Sequence, residues 1–372
     1  MLRGRATADA TTAYASRFGN LQGNFRTMLG ISASSIGIGT YLGEPDTETD
    51  AAYEAALSTA LGGGINLVDT AVNYRFQRSE RTIGKVLAAM TAAGTIKREE
   101  IIVATKGGYL TFDGEVPADP RGWFEEHFVR TGIVTAGDLV EGSHCMTPKW
   151  LGTMLEMSRA NLGLETIDIY YIHNPETQLS EVSRGVFLSR IRSAFEMLEA
   201  AVADGKIGVY GIATWNGLRA EATERGFLSL DELWRVAHEV AGDAHHLRAI
   251  QLPYNLAMPE AVTRSNQTVG NQKGSALTVA SAMGLGVCAS ATLLQGRLAK
   301  GLPTILAETF PGLTSDAQRS IQFVRSTPGI NVALVGMKSA EHVRDALAAA
   351  AARPPASVEE LMKLYRPADE RR

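Results

Sequence analysis

Four side chains suited to acid–base chemistry lie at or just beyond the ends of strand-like stretches of the sequence. Asp69 directly follows the apolar stretch Ile65–Val68, and Tyr74 comes shortly after it. Lys106 and His173 each end a further β-branched stretch. If parallel strands form a barrel, their C-terminal ends meet at one face and these side chains converge. An acid, a phenol, an amine and an imidazole in one pocket are suited to proton transfer to a carbonyl oxygen.

The phenol needs a neighbouring cation for this chemistry. A tyrosine has an ordinary pKa of about 10, so general acid and base catalysis near neutral pH requires a positive charge beside it. Lys106 can supply that charge and Asp69 can hold the lysine. His173 can donate a hydrogen bond to a substrate oxygen. Each residue alone also has an ordinary structural explanation, as a helix cap, a packed ring, a solvated amine or a satisfied imidazole. Their joint pattern favours catalysis.

The elements that would position these residues alternate regularly between strand-like and helix-like stretches. A (β/α)8 TIM barrel is therefore predicted rather than an open doubly wound sheet. No G-x-G-x-x-G motif lies between a strand and a helix, which also disfavours a dinucleotide-binding sheet. The eight predicted strands are Ser35–Gly39, Ile65–Val68, Ile101–Thr105, Ile167–Ile172, Ile207–Ile212, Ala249–Leu252, Gly286–Ala289 and Asn331–Val335.

The domain organisation follows from this pattern. Residues 1–25 are expected to form a loose, partly disordered extension, and residues 26–372 a single barrel domain with an extra helix near 357–365. Two connections on the C-terminal face, 107–146 and 252–274, are unusually long and are predicted to act as lids. The alternative for the first is a satellite cluster that only packs the loop. Its aromatic residues are Tyr109, Phe112, Trp123, Phe124 and Phe128.

Composition limits the possible partners and compartments. The 372 residues fit one large barrel or two ordinary domains, and the net charge of -4 does not favour nucleic acid or an anionic membrane as partner. No stretch approaches a membrane span, and the N-terminus lacks the apolar core of a secretory signal. Cys145 and Cys288 can pair, but a reduced, cytoplasmic protein is favoured. His144-Cys145 lacks a partner at metal-ligand spacing, so no metal site is predicted.

Short motifs surround the four residues. They are Gly64-Ile65-Asn66-Leu67-Val68-Asp69-Thr70-Ala71 followed by Tyr74, Ser79-Glu80 followed by Ile83-Gly84, Ala104-Thr105-Lys106, Asp168-Ile169-Tyr170-Tyr171-Ile172-His173-Asn174-Pro175, and Gly205-Lys206-Ile207 followed by Gly211. In this order they resemble the aldo-keto reductase superfamily, over residues 26–350. The resemblance implies a barrel that binds NADP(H), or sometimes NAD(H), and transfers hydride to or from a carbonyl carbon. By the resemblance, Tyr74 is the proton donor, Lys106 and Asp69 tune it, and His173 positions the substrate.

The resemblance also implies cofactor contacts near the nicotinamide, where the match is weaker. Gln251 matches a carboxamide-binding glutamine. Thr214 replaces a frequent asparagine, so one amide contact is lost unless Asn216 substitutes. Ser290 stands where the family often has a stacking tyrosine, so stacking is either absent or supplied elsewhere, for example by Trp215. Further implied cofactor residues are Gly39, Thr40, Leu293 and Gln295, and the implied substrate pocket comprises Tyr41, Tyr109 and Trp215.

The segment after the last strand resembles the family's site for the adenosine end of the cofactor. A helix N-terminus favours a phosphate through its free N–H groups and its dipole. Lys338 with its neighbours therefore favours NADP(H) over NAD(H), and Asp345 is expected to contact adenine. The alternative is that Lys338 is a solvated charge at a helix start. The implied residues are Gly336, Lys338, Ser339, His342 and Asp345.

The sequence thus predicts an NADP(H)-dependent oxidoreductase that reduces an aldehyde or ketone, or oxidises the alcohol, with Tyr74 as proton donor. The alternative is a cofactor-binding regulatory or redox-sensor protein on the same barrel with little turnover, like the potassium-channel β subunits, which the altered Ser290 position favours. An unrelated metal-dependent barrel enzyme would have to act without Lys106. The particular carbonyl or alcohol substrate, the physiological direction and the oligomeric state do not follow from the sequence.

Overall fold

Eight parallel strands close into a barrel in the computed structural model, which describes residues 1–21 and 23–365. The strands of the chain are β1 (Phe25–Met28), β2 (Ile31–Ser34), β3 (Ile36–Gly39), β4 (Leu67–Asp69), β5 (Ile102–Gly107), β6 (Ile167–His173), β7 (Ile207–Ala213), β8 (Leu247–Pro253), β9 (Gln267–Val269), β10 (Gln272–Gly274), β11 (Gly286–Ser290) and β12 (Val332–Gly336). The barrel order is β3-β4-β5-β6-β7-β8-β11-β12, with β12 paired back to β3. The predicted (β/α)8 barrel is confirmed, with strand boundaries within two residues of those expected.

Helices follow each barrel strand and surround the barrel. They are α1 (Ala8–Ala15), α2 (Thr47–Gly63), α3 (Arg78–Ala92), α4 (Pro120–Phe124), α5 (Pro148–Leu162), α6 (Arg184–Ala203), α7 (Leu230–Ala241), α8 (Glu260–Thr263), α9 (Ala276–Ala282), α10 (Ile305–Thr309), α11 (Asp316–Ser326), α12 (Ala340–Ala352) and α13 (Val358–Met362). Local signals set their ends. In α5, for example, the Thr147 hydroxyl accepts from the N–H of Trp150, and Gly163 ends the helix at a φ of 65°. Within the described residues, no helix combines the length and apolarity needed to cross a bilayer.

The apolar core has two layers, one inside the barrel and one between the strands and the helices. The inner layer includes Leu67, Ile102 and Ile169, which point inward from neighbouring strands. The β1–β2 hairpin contributes Met28 and Ala33 to this layer, so it packs against the barrel interior. Because β1 and β2 precede β3 directly, the hairpin covers the N-terminal end of the barrel.

The N-terminal segment differs from the expected loose extension. It contains α1, in which Tyr14 is fully buried and donates a hydrogen bond to the carbonyl oxygen of Leu61 at 2.6 Å. The backbone N–H of Ala6 donates to the Asp168 carboxylate at 2.6 Å, and Arg98 reaches the same group at 2.7 Å. These contacts lie between residues far apart in the chain, so the local sequence did not reveal them.

The C-terminal part of the described chain contains the predicted extra helix. Helix α13 is capped by Ser357, which accepts from the N–H of Glu360, while the Glu360 carboxylate accepts from the N–H of Ser357. This reciprocal pair is a capping box, in which two otherwise unpaired N–H groups are satisfied. A short 3₁₀ turn follows up to residue 365. The predicted domain also included residues 366–372, which lie outside the described part of the chain.

The two long connections pack on the outside of the barrel. In the connection 107–146, Phe128 is buried and its ring lies 5.0 Å from the ring of Trp150 on α5. In the connection 252–274, β9 and β10 form a hairpin, and the Gln267 amide oxygen accepts from the N–H of Leu230 on α7 at 2.9 Å. Four aromatic residues of the first connection, Phe112, Trp123, Phe124 and Phe128, therefore form the satellite cluster that was the alternative to a lid.

Candidate active site

One cavity of about 650 Å³ runs along the C-terminal end of the barrel. Asp69, Tyr74 and His173 lie at one end and Lys338 and His342 at the other. This size is in the range of pockets that bury a small organic ligand. Of the predicted site residues, those that line the cavity are Gly39, Thr40, Tyr41, Asp69, Tyr74, His173, Thr214, Trp215, Gln251, Ser290, Leu293, Gln295, Gly336, Lys338, His342 and Asp345.

Lys106 lies beneath Tyr74, behind the residues that line the cavity, and is 1% exposed. It lies 2.7 Å from the Asp69 carboxylate, 2.7 Å from the carbonyl oxygen of Thr70 and 3.3 Å from the Tyr74 hydroxyl oxygen. An ammonium has three hydrogens and can only donate. Tyr74 therefore accepts from Lys106, and its own O–H proton is left to point elsewhere, toward the cavity that Tyr74 lines.

Burial and charge set the protonation of this group. Burial raises the pKa of the Tyr74 phenol above its ordinary value, and the Lys106 ammonium offsets only part of the rise. Burial acts to lower the pKa of Lys106, but the attraction of Asp69 and Tyr74 outweighs it, so the pKa of the amine is raised. At neutral pH the lysine is therefore charged and the phenol keeps its proton, which is the state required of a general acid.

Gln251 holds the other side of Asp69. Its amide nitrogen donates to the second carboxylate oxygen at 2.7 Å, while Lys106 occupies the first. A buried carboxylate is stabilised when both oxygens accept hydrogen bonds. Gln251 was predicted as a cofactor contact, and it does line the cavity, but its amide nitrogen is already engaged.

His173 lies next to Tyr74, with ring centres 5.9 Å apart and an interplanar angle of 76°. Burial lowers the pKa of His173 well below its ordinary value, and the nearby Lys106 charge and His144 act in the same direction. The imidazole is therefore neutral at neutral pH, so one of its nitrogens carries a proton and can donate to a substrate oxygen.

Four predicted site residues do not line the cavity, and the structure shows why. Lys106 acts from beneath Tyr74. Tyr109 turns its ring toward His173, with centres 5.0 Å apart, and its hydroxyl lies 3.1 Å from that of Thr177. Ser339 caps α12 by accepting from the N–H of His342. Asn216, the fourth, is exposed. Tyr109 therefore lies outside the lining of the cavity, whereas Ser339 and Asn216 stay predictions as cofactor contacts.

The connections that border the cavity also differ from those expected. None of the lining residues comes from 107–146 or 252–274, so neither connection is a lid in this structure. The connection after β11 borders the cavity instead, through Ala291, Leu293 and Gln295 among others. Ala291 and Gln295 have φ angles of 57° and 54°, which is rare for residues other than glycine. Sequence patterns contain no signal for such a backbone, although the resemblance had implied Leu293 and Gln295 as cofactor residues.

Glu176 organises the turn after β7 and was not found from the sequence. One of its carboxylate oxygens accepts from the Thr214 hydroxyl at 2.6 Å and from the N–H groups of Trp215, Asn216 and Gly217 at 2.7, 3.0 and 3.2 Å. Four donors on one carboxylate oxygen hold the turn in a single conformation. Thr214 and Trp215 both line the cavity, so Glu176 shapes its wall from behind.

The far end of the cavity presents positive charge. Lys338 is exposed there and directly precedes Ser339, the N-cap of α12. The free N–H groups of the helix start and its dipole add to the positive potential, so this end favours an anion. Asp345 also lines this end, but its carboxylate accepts from the Ser315 hydroxyl at 3.0 Å and from the Gln318 amide at 2.7 Å.

Comparison with known proteins agrees with this geometry. The model of the aldo/keto reductase family matches residues 35–365. The chain belongs to this family. The match covers all eight barrel strands and all four residues of the acid–base group.

Curated aldo/keto reductases match part of the chain. It is 27% identical over 192 residues to the 6-dehydroglucose reductase of Novosphingobium aromaticivorans and 28% identical over 202 residues to the D-threo-aldose 1-dehydrogenase of a Pseudomonas species. It is 26% identical over 188 residues to the NADH-specific methylglyoxal reductase of Escherichia coli. The chain spans about half the length of these relatives, 49% in each case, and the matches cover 49–50% of this chain.

Solved aldo/keto reductases share the fold over nearly the whole chain. One from Klebsiella pneumoniae, in complex with NADP and acetate, has a TM-score of 0.61 and 22% identity, covering 94% of this chain and 98% of that one. The glycerol dehydrogenase of Gluconobacter oxydans has a TM-score of 0.61 and 20% identity with the same coverage. At these identities the likeness shows the fold alone.

Proposed function

We propose that the protein is an NADP(H)-dependent oxidoreductase that reduces an aldehyde or ketone, or oxidises the corresponding alcohol. The observation that carries the proposal is the buried Asp69–Lys106–Tyr74 group, which holds a protonated phenol at one end of a cavity that ends in a cationic helix start. Family membership and the NADP in the Klebsiella structure support the same conclusion.

The residues of the cavity fit a dinucleotide. Its length joins the Tyr74 end to the Lys338 end without a break, and its middle is lined by small or apolar residues such as Ala291, Leu293 and Ala317. Lys338 and the start of α12 would hold phosphate, and Thr214 and Gln251, which also line the cavity, would bind the carboxamide. When bound there, the cofactor supplies or accepts the hydride.

The protein residues supply the proton and orient the substrate. The hydroxyl proton of Tyr74, which points away from Lys106, would pass to the substrate oxygen as negative charge develops on it and leave Tyr74 as the phenolate. The neutral ring of His173 would donate a second hydrogen bond to that oxygen. Lys106 stabilises the phenolate that Tyr74 becomes, and Asp69 keeps Lys106 in place, because an unpaired buried ammonium would otherwise lose its charge.

The first experiment is steady-state NADPH oxidation by the purified protein with a panel of aldehydes, ketones and quinones. The panel includes polar carbonyls such as aldoses and methylglyoxal, because relatives are named for them. Turnover that depends on Tyr74 would establish the proposal. Absence of turnover on the whole panel, together with tight NADPH binding, would favour the alternative.

The alternative is a cofactor-binding regulatory or redox-sensor protein with little turnover. Ser290 favours it, because this residue lines the cavity and brings no aromatic ring to stack on a nicotinamide. Trp215 is 44% exposed and also lines the cavity, so it is the residue we propose as a substitute stacking surface. Multiple turnovers per protein molecule would rule the alternative out.

Lys338→Met is expected to raise the Kd of NADPH roughly 10-fold and to leave that of NADH unchanged. A hydrogen bond to a charged group contributes about 1.5–3 kcal/mol, and the lysine is proposed to meet the 2′-phosphate that only NADPH carries. Fluorescence titration of both cofactors measures the ratio. Lys273→Met, on the exposed β9–β10 hairpin, is the matched control. An equal change for both cofactors would contradict recognition of the 2′-phosphate.

Glu176→Ala is expected to weaken NADPH binding by about 10-fold, because the four donors of the 214–217 turn lose their common acceptor. Glu176→Gln keeps an acceptor oxygen in place and should stay within roughly threefold of the unmodified protein by the same reasoning. The Kd of NADPH, measured by fluorescence titration, decides between them. Unchanged binding in the alanine variant would show that the turn holds its shape without the carboxylate.

A further inference from the structure

His144 lies behind the proposed catalytic histidine and is fully buried. It belongs to the long connection 107–146, whose two ends pair so that Tyr109 and His144 form an antiparallel bridge. The N–H of Cys145 donates to the carbonyl oxygen of Gly108 at 2.9 Å, which fixes this pairing. The pairing brings the His144 ring nitrogen Nε2 to 2.7 Å from the carbonyl oxygen of His173, at the end of β6.

Gly108 makes this approach possible. Its φ is 150°, in the region that glycine tolerates best, and a Cβ added there would lie 3.0 Å from His144 Nε2 and 3.0 Å from the His173 carbonyl oxygen. Any larger residue would therefore press into the contact between the two histidines.

Gln178 fixes which nitrogen of His144 carries the proton. Its amide oxygen accepts from the guanidinium of Arg190, which can only donate. Its amide nitrogen lies 3.3 Å from the carbonyl oxygen of His144, which can only accept, and 2.7 Å from His144 Nδ1. The amide orientation is therefore set from both ends. Nδ1 must accept, so Nε2 carries the proton and donates to the His173 carbonyl.

Burial is consistent with a neutral ring. It lowers the pKa of His144 to about 4, more than the hydrogen bond to His173 and the nearby Glu141 raise it, and the charge of Arg190 also acts to lower it. At neutral pH the hydrogen bonds therefore all run in one direction: Arg190 donates to Gln178, Gln178 to His144, and His144 to the carbonyl oxygen of His173.

His173 depends on this support because its own ring lacks another anchor. Among the described residues, its buried Nδ1 has no hydrogen-bond partner, although a bond at the second nitrogen usually sets the orientation of a catalytic imidazole. The ring instead meets Tyr109 edge-on at 5.0 Å, and Tyr109 in turn meets the His144 ring at 4.9 Å. His144 thus contacts His173 in two ways. Its ring donates a hydrogen bond to the carbonyl oxygen of His173, and it packs against Tyr109, which packs against the ring of His173.

We propose that His144 is a positioning residue that holds His173 at the substrate oxygen, with Gln178 and Arg190 fixing its tautomer. The kinetic consequence rests on the proposed reductase function, whereas the structural consequence does not. His144→Phe keeps an aromatic ring but removes the N–H that donates to the carbonyl oxygen of His173. His144→Gln places an amide N–H at a similar distance from the backbone and should restore this hydrogen bond.

The kinetic test compares the two variants. His144→Phe is expected to lower kcat for carbonyl reduction about 10-fold or more, because a small misplacement of a catalytic group can cost roughly 10²-fold. The Kd of NADPH should stay unchanged, and His144→Gln should recover kcat to within about threefold. Equal losses in both variants, or kcat unchanged in His144→Phe, would overturn the proposal.

The structural test does not need turnover. The chain has seven histidines, so their ring nitrogens can be resolved by ¹⁵N NMR and assigned by single substitutions. In the unmodified protein His144 is expected to be neutral, with its proton on Nε2. A proton on Nδ1, or a charged ring at neutral pH, would overturn the proposal. In His144→Phe, if it folds, the His173 resonances should shift, and in His144→Gln they should return.

The two tests also separate the two proposals. If the unmodified protein shows the expected tautomer, and His144→Phe the shift of the His173 resonances, but no carbonyl is turned over, the reductase function fails while the support of His173 stands. If turnover is lost in Tyr74→Phe but His144→Phe changes neither kcat nor the His173 resonances, the reductase stands and the role of His144 fails.

Discussion

Replacing Tyr74 by phenylalanine is expected to lower kcat for carbonyl reduction by about 10²- to 10⁴-fold, the usual contribution of a positioned general acid. The variant keeps the aromatic ring and removes the hydroxyl. The proton of this hydroxyl points toward the cavity, because its oxygen already accepts a hydrogen bond from Lys106. Reduction uses the protonated phenol, whose pKa burial raises. In the unmodified protein, kcat for reduction should therefore stay constant through neutral pH. It should fall only when the pH exceeds the raised pKa of Tyr74.

Steady-state NADPH oxidation checks this result, and NADPH binding shows whether the site survives. The variant loses one hydrogen bond of 3.3 Å, so its Kd for NADPH and its melting temperature should change little. Tyr210→Phe is the matched control, since that hydroxyl bonds to Glu199 at 2.9 Å, away from the cavity. Turnover in Tyr74→Phe equal to that of the control would exclude Tyr74 as the proton donor.

Replacing Lys106 by methionine is expected to abolish activity and to reduce the free energy of unfolding by about 3–5 kcal/mol, the usual cost of removing one partner of a buried ion pair. The pair is almost completely shielded, with side-chain exposures of 1% for Lys106 and 7% for Asp69. Without the lysine, Asp69 keeps its bond to Gln251 but loses its counter-charge. Urea unfolding at neutral pH measures the loss.

The double variant Asp69→Asn/Lys106→Met tests the physical cause. With the charge of Asp69 removed, the amide can still pair with Gln251, and more than half of the lost stability should return while activity stays absent. A loss below about 1 kcal/mol in Lys106→Met would show that the ion pair contributes little to stability. A large loss with no recovery in the double variant would show that the lysine contributes through packing rather than charge.

The barrel could be predicted because its signals are local and repeat. Short β-branched stretches such as Ile101–Thr105 and Ile167–Ile172 alternate with capped helices, and buried parallel strands have this pattern. The exact ends shifted by one or two residues, as at β4, because strand pairing across the barrel decides where hydrogen bonding begins. The N-terminal segment was misjudged since its order depends on contacts such as that of Tyr14 with Leu61, which the local sequence does not contain.

The acid–base group could be predicted from residue types and their places after strands. Asp69, Tyr74, Lys106 and His173 were brought to one face by the topology of the barrel alone. Residues in loops were predicted less well. Tyr109 was expected in the pocket, but it packs between two imidazoles, because the connection that carries it folds back on itself through His144.

What the sequence by itself determined is the barrel and the positions of Asp69, Tyr74, Lys106 and His173 near the ends of its strands, because strand order follows from local patterns along the chain. Only the tertiary structure decided what holds those residues in place. The Glu176 carboxylate accepts hydrogen bonds from the turn after β7, and His144 donates to the carbonyl oxygen at the end of β6. Neither residue has a local sequence pattern that marks its role. Both residues contact parts of the chain that are distant in sequence, and these parts become neighbours only when the barrel closes.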